Sequence, residues 1–393
     1  MQLTESIQIH KGSELYRELD HVCFLSKNLY NASLYAVRQH FFNTGKFLNY
    51  AASNGQFIQS HNPDYYALPT KVSQQTMQLV DRNFKSFFGL LKTDGCKARI
   101  PKYLEKNGRY VTVFTNQAIS RKYLRKGLIK LSGINNFIKI RRGIENIQQV
   151  RIVPRITRNC YDVEIIYNVI EKDLMEDNGN YAAIDLGLSN LATVSFNHGA
   201  PFIINGRPLK SINQYYNKKR SKACDLKSNK SKSLNRKREN KIRDYLHKSS
   251  RYLVNQLVSR NVHTLVIGKN DGWKQEINIG KKNNQNFVFI PFEKFIWMLE
   301  YKCRLEGITV IKVEESYTSK CSFIDNEEIC FHETYKGERF NRGLFRSSKG
   351  KIINADLNGS LNIMRNAVGE KAFCNANYFI EVRSTPVVVT PLK

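Results

Sequence analysis

The sequence predicts a multidomain α+β protein, and three observations carry that expectation. The chain has 393 residues, more than one ordinary small domain holds. Its apolar residues recur at helical spacing through residues 11–92, then switch to short alternating runs between 107 and 170. From Tyr181 onward three apolar strands follow one another before helices and strands alternate.

The helical region rests on Leu15, Leu19, Val22, Cys23 and Leu25, and again on Met77, Val80, Phe84, Phe87, Phe88 and Leu91, spaced to share helix faces. The runs Tyr110–Phe114, Leu128–Leu131, Ile138–Ile140, Gln149–Val153 and Val163–Tyr167 predict a small β-barrel or sheet. Gly127, Gly133, Gly143 and Pro154 break them apart. The acidic, polar stretch from Glu171 to Asn180 reads as linker. Beyond it, strands are expected at Ala182–Gly187, Leu191–Phe196, Pro201–Ile204, Val262–Gly268 and Ile308–Val313. Helical patterns fill Leu209–Ser259, Pro291–Glu306 and Asp356–Val368, the last with Leu357, Leu361, Met364 and Val368 on one face. Three strands and then an alternation match the RNase H order.

Charge narrows the function. Against 62 Lys and Arg stand 34 Asp and Glu, a net of +28. Such a surplus repels itself and draws in polyanions, nucleic acid first among them, with counterion release supplying the binding energy. No apolar stretch approaches a membrane span, and Met1 to His10 contains Glu5 and no apolar signal core. The expected location is cytoplasmic, in a bacterium or archaeon, with nucleoid association. Eight cysteines are scattered without a CxxC pair, which reads as reduced thiols.

The basic residues concentrate between Asn217 and Tyr245, with twelve Lys or Arg and three Asp or Glu. Lys218, Lys219, Arg220, Arg236, Lys237, Arg238, Lys241 and Arg243 are the candidate phosphate contacts, joined further on by Arg342 and Arg346. A solvated charged helix face is the plain alternative.

Three carboxylate positions stand at expected element ends. Asp185 interrupts the apolar strand Ala182-Ala-Ile-Asp-Leu, where an ionised acid is costly unless paired or metal-bound. A strand-end Asp capping a turn is the other reading. Glu314 and Glu315 end the strand that starts at Ile308, and adjacent acids point to opposite faces, both of them apolar here. Asp356 opens the last helix, as N-cap or as ligand. Oxygen ligands of this kind suit magnesium, and two such ions can activate a water and stabilise the leaving oxygen of a phosphodiester.

Tyr181-Ala-Ala-Ile-Asp185-Leu-Gly-Leu-Ser-Asn-Leu-Ala-Thr193 resembles the first RuvC motif of TnpB proteins, transposon-encoded relatives of type V CRISPR nucleases. Asn354-Ala-Asp356-Leu-Asn-Gly-Ser-Leu-Asn-Ile363 resembles the third. Lys71-Val-Ser-Gln-Gln-Thr76, Gly206–Asn217, Asp244–Lys248, Asn284–Phe287 and Glu315–Cys321 also look like the family, so the likeness spans nearly the whole chain.

The resemblance implies a split β-barrel wedge domain from residues 1–10 and 107–172, and a helical recognition lobe at 11–106. It further implies a linker at 173–180 and an RNase H-like (RuvC) α/β nuclease domain at 181–368, followed by a tail at 369–393. The implied activity is magnesium-dependent, RNA-guided cleavage of DNA beside a short flanking motif. The implied partners are a transposon-derived guide RNA and double- and single-stranded target DNA.

Two departures mark this chain. Where many relatives end a strand with the second-motif glutamate, this one reads Leu265-Val-Ile-Gly268-Lys269. The implied replacement is Glu315, with Glu314 second, completing the set Asp185, Glu315 and Asp356; Asp271 is the reserve. A zinc ribbon is common before the third motif, but residues 316–352 hold only Cys321, Cys330 and His332, so no zinc is expected. A nuclease-inactive, RNA-guided repressor and a DNA-joining transposase are the competing functions.

Overall fold

The computed structural model describes residues 1–94, 97–222, 228–269, 290–341, 343–373 and 385–391. Two compact units divide the chain, Met1–Val169 and Ile170–Lys393.

In the first unit β1 (Gln2–His10) leads into α1 (Glu14–Thr44), α2 (Tyr50–Gln59), α3 (Pro63–Tyr66) and α4 (Thr70–Thr93). Ser13 caps α1 by accepting from the Tyr16 N–H, and Gly45 ends it at φ 66°. The strands that follow are β2 (Thr112–Thr115), β3 (Ile119–Ser120), β4 (Leu128–Leu131), β5 (Ile138–Lys139), β6 (Ile147–Arg155) and β7 (Cys160–Asn168). They form two sheets, one in the order β1-β7-β6-β2 and one in the order β3-β4-β5. Leu19, Val22 and Cys23 of α1 share a core with Ile152, Val163 and Ile165 of the larger sheet. A polar tie reinforces it: Arg109 donates to both carboxylate oxygens of Asp20, and the Tyr161 hydroxyl donates to the same group at 2.6 Å.

The second unit is built on one sheet. Strands β8 (Tyr181–Leu186), β9 (Asn190–Phe196) and β10 (Phe202–Asn205) form an antiparallel meander. Helices α5 (Arg207–Arg220) and α6 (Asn229–Ser259) lead to β11 (Thr264–Gly268), parallel to β8. Helix α7 (Phe292–Leu305) leads to β12 (Thr309–Val313), parallel to β11. A three-stranded sheet of β13 (Glu338–Asn341), β14 (Leu344–Arg346) and β15 (Ile352–Asn354) delivers the chain into α8 (Ala355–Val368). The expected tail carries one more strand, β16 (Val387–Val389), parallel to β10 at the sheet edge. The order is thus β12-β11-β8-β9-β10-β16.

Alternation along the central strands assigns the two faces. Ala182, Ile184, Leu186, Leu265 and Ile267 pack against Leu246, Leu253 and Leu257 of α6 and Phe295 and Leu299 of α7. Ala183 and Val266 pack against Leu357, Leu361, Ile363 and Met364 of α8. Both faces are therefore covered, which is why these strands read as unbroken apolar runs. Among the described residues no helix is long and apolar enough to cross a membrane.

Candidate active site

Asp185 shares parity with Ala183, so it lies on the α8 face of β8. Helix α8 comes close because the facing residues are small. The Ser360 hydroxyl donates to the Ala183 carbonyl at 3.0 Å, and a Cβ added to Gly359 would stand 2.8 Å from Asp185 Oδ2. Glycine at 359 leaves the carboxylate its space.

The two adjacent glutamates part company. Glu314 is exposed, and its carboxylate accepts from the Ser316 hydroxyl at 2.7 Å. Glu315 is turned inward, two residues beyond β12, with parity shared with Val313 of the α8-facing core. Its side chain lies across Gly268, the place where the resemblance led one to look for a glutamate. Asp356 is not the helix cap. That role falls to Asn354, whose side-chain oxygen accepts from the N–H groups of Asp356 and Leu357 at 3.0 and 3.1 Å. The Asp356 carboxylate instead accepts from Asn190 Nδ2 at 2.7 Å and pairs with Arg339 at 3.0 Å.

Asp185 senses the other two acids. Burial raises the Asp185 carboxyl well above the usual range; the charges of Glu315 and Asp356 push the same way, and Arg339 partly offsets them. Burial pushes Glu315 up to about 7. A site with this electrostatic cost is one a cation would relieve. Among the described residues, however, no three Asp, Glu, His or Cys side chains are drawn into a metal-holding cluster. Sequence reasoning missed Asn190, although it sits inside the first motif, and Arg339, for which the sequence held no signal.

The basic candidates lie apart from the acids along the chain. Lys218, Lys219 and Arg220 are exposed at the end of α5; Lys237 and Lys241 are exposed on α6, and Arg236 and Arg243 are half-buried there. Arg238 turns inward: its guanidinium sits 4.9 Å from the Tyr216 ring centroid and donates to Asn213 Oδ1 at 2.8 Å, tying α6 to α5. Arg346 is exposed, stacked on Phe340 at 4.3 Å. Arg342 and Asp271 lie outside the described residues.

Residues 316–352 are organised by a polar network. The buried Glu327 carboxylate accepts from the N–H groups of Ser322 and Lys336, both at 2.7 Å. Asp325 accepts from the hydroxyls of Ser322 and Ser348. Asn358 and Asn362 of α8 donate to the Cys321 carbonyl at 2.8 and 2.7 Å. Cys330 Sγ lies 3.3 Å from His332 Nε2, and Cys321 donates to the Cys330 carbonyl.

The chain is similar to known proteins along most of its length. Residues 161–274 match the OrfB family of IS605, described as a probable transposase, and residues 292–363 match the TNB domain of Cas12f1-like proteins. TnpB-like protein ORF457 of Acidianus two-tailed virus is 23% identical over 90% of this chain and 84% of its own length. TnpB-like protein MJ0751 of Methanocaldococcus jannaschii is 31% identical over 28% of this chain and 43% of its own. The endodeoxyribonuclease Cas12f2 of a Micrarchaeota archaeon is 28% identical over 49% of this chain and 38% of its own. Among solved structures, a Cas12f1–sgRNA–target DNA complex aligns over 92% of this chain and 98% of its own at 16% identity and TM-score 0.38. The Cas_phi3 endonuclease aligns over 93% and 92% at 10% identity and TM-score 0.47. The two family models, met in chain order, define a transposon-associated protein related to CRISPR effectors. The chain is thus similar to TnpB proteins, with one such relative aligned over 90% of its length.

Proposed function

We propose that this chain is an RNA-guided DNA endonuclease whose second unit is a RuvC-like nuclease core. The single observation that carries the reading is that the buried Asp185 of β8 feels the charges of Glu315, just beyond β12, and of Asp356, at the start of α8, both raising its carboxyl. Their oxygen donors, with the raised pKa values of Asp185 and Glu315, fit magnesium, and these three residues would hold it. When bound, such ions activate a water and stabilise the leaving oxygen of a phosphodiester.

The protein's own residues prepare that place. Asn190 and Arg339 fix both oxygens of Asp356, Gly359 gives Asp185 room, and Gly268 gives Glu315 its seat. The exposed lysines and arginines of α5 and α6 would neutralise backbone phosphates, while base pairing to a transposon-derived guide RNA selects the double- or single-stranded DNA beside a flanking motif. Such a protein works in the cytoplasm, on the nucleoid.

The test is to purify the chain with its bound RNA, sequence that RNA, and supply a matching target. Asp185→Ala and Asp356→Ala should abolish magnesium-dependent cleavage while guided binding persists. Cleavage by either variant at the wild-type rate would sink the assignment.

A further inference from the structure

Residues Glu315 to Thr318 form a β-turn: the Thr318 N–H and hydroxyl both donate to the Glu315 carbonyl, at 3.1 and 2.8 Å. Tyr317 occupies its third position at φ 63°. Glycine or asparagine normally supplies that left-handed conformation, and a bulky side chain adopts it at a conformational cost.

Burial does not offset the cost. Tyr317 is 40% exposed, and Phe331, which it meets edge to face at a centroid distance of 6.3 Å, is 66% exposed. A second ring pair, His332 with Tyr335 at 5.4 Å, follows Phe331 along the chain, and the Lys320 ammonium lies 5.8 Å from the Tyr335 ring. The strained turn therefore exposes an aromatic ring two residues after Glu315, whose side chain lies over Gly268.

We propose that Tyr317 and Phe331 form a stacking platform for an unpaired DNA base next to the bond to be cut, which makes Tyr317 a positioning residue. Exposed rings stack on any base, since every base has a π-face, and a base within a duplex has both faces already covered. The Lys320 cation beside the second ring pair and the net charge of +28 favour a polyanionic strand over an apolar protein partner. The strand is DNA because Tyr317 shares a turn with Glu315 of the proposed cutting site; the inference rests on the guided cleavage proposed above.

Tyr317→Gly removes the ring and relieves the left-handed strain. The expected result is an equal or higher Tm together with at least ~10-fold slower single-turnover cleavage of a guide-matched target, with both restored in Tyr317→Phe. A single-stranded DNA oligonucleotide carrying 2-aminopurine, titrated into the full chain without guide, reads stacking directly. Quenching by the wild type that is lost in Tyr317→Gly and Phe331→Leu, and kept in Tyr317→Phe, supports the platform. Equal quenching by wild type and Tyr317→Gly, or quenching of an RNA oligonucleotide alone, overturns it. Wild-type protein that quenches the DNA probe yet cleaves no guided target sinks the nuclease reading and leaves the two rings as a DNA-stacking surface without a cutting site. Normal cleavage by Tyr317→Gly leaves the nuclease reading and sinks the platform.

Discussion

Glu315 lies across Gly268: a Cβ built on the glycine would stand 2.7 Å from Glu315 Cγ and 2.5 Å from Ile363 Cδ1. The side chain of one strand end thus fills the space left by the missing side chain of its neighbour. Gly268→Ala should displace Glu315 or press on α8, costing about 1–3 kcal/mol by overpacking. Urea denaturation should register the loss, and single-turnover cleavage should fall with it. Wild-type stability and rate together would show that the contact is easily relaxed.

The same relationship separates the two glutamates. Glu315→Gln should remove magnesium-dependent cleavage, since it deletes one charge while keeping the shape. Glu314→Gln should retain substantial activity, because the Glu314 side chain is exposed and its carboxylate accepts from the nearby Ser316 hydroxyl. Cleavage measured at several magnesium concentrations decides the point. A dead Glu314→Gln beside an active Glu315→Gln would reverse the assignment.

How far the sequence reached is visible at these residues. The strands around Ala183 and Val266 were legible because both sheet faces are covered, leaving unbroken apolar runs. That coverage hid the choice between Glu314 and Glu315: Val310 packs against one core and Val313 against the other, so alternation alone was silent. The cap-or-ligand ambiguity at Asp356 dissolved only when Asn354 proved to be the cap. Arg339 was invisible because its partner is 17 residues away through two strand reversals. Strand β16 was invisible because three valines in a terminal stretch acquire strand character only from β10.

The basic residues of α6 should divide by exposure. Lys237→Gln with Lys241→Gln should flatten the salt dependence of nucleic-acid binding by about one unit of slope per lost phosphate contact. Their stability should stay near wild type. Arg238→Gln should instead cost about 1 kcal/mol by thermal melting, because it removes the Tyr216 and Asn213 contacts. An unchanged slope in the lysine pair would make that surface merely solvated.

Arg339 and a divalent cation compete for the same carboxylate. The Arg339–Asp356 pair is about half exposed on the arginine side, so Arg339→Gln should change Tm little, within roughly 1 kcal/mol of stability. Removing its positive charge should nonetheless lower the magnesium concentration at the midpoint of magnesium-induced thermal stabilisation. A midpoint that rises would mean that Arg339 organises Asp356 for the ion rather than opposing it.

The stability of the metal-free protein should itself report the site. Glu315 has its pKa raised from about 4.5 to about 7 in the folded chain. The folded state therefore holds a proton that the unfolded state has released, so stability falls as pH rises through that window and the loss is complete above about 7. Its size is on the order of 2 kcal/mol after allowance for partial solvent access. Asp185, raised by burial and by the charges of Glu315 and Asp356, adds a contribution of the same sign. In EDTA, then, Tm should decline between pH 5 and about 7.5 from this source. Magnesium should oppose the decline, and its stabilising shift should be larger at pH 8 than at pH 5.5, because the ligands must be deprotonated to bind. Asp185→Asn should be more stable than wild type in EDTA at pH 8 and should lose most of the magnesium shift; Glu315→Gln should flatten the pH dependence in the same way. Melting curves of the three proteins with and without magnesium test this, and a wild-type Tm that rises from pH 5 to 7.5 in EDTA, with both variants following it, would remove the electrostatic case for the site.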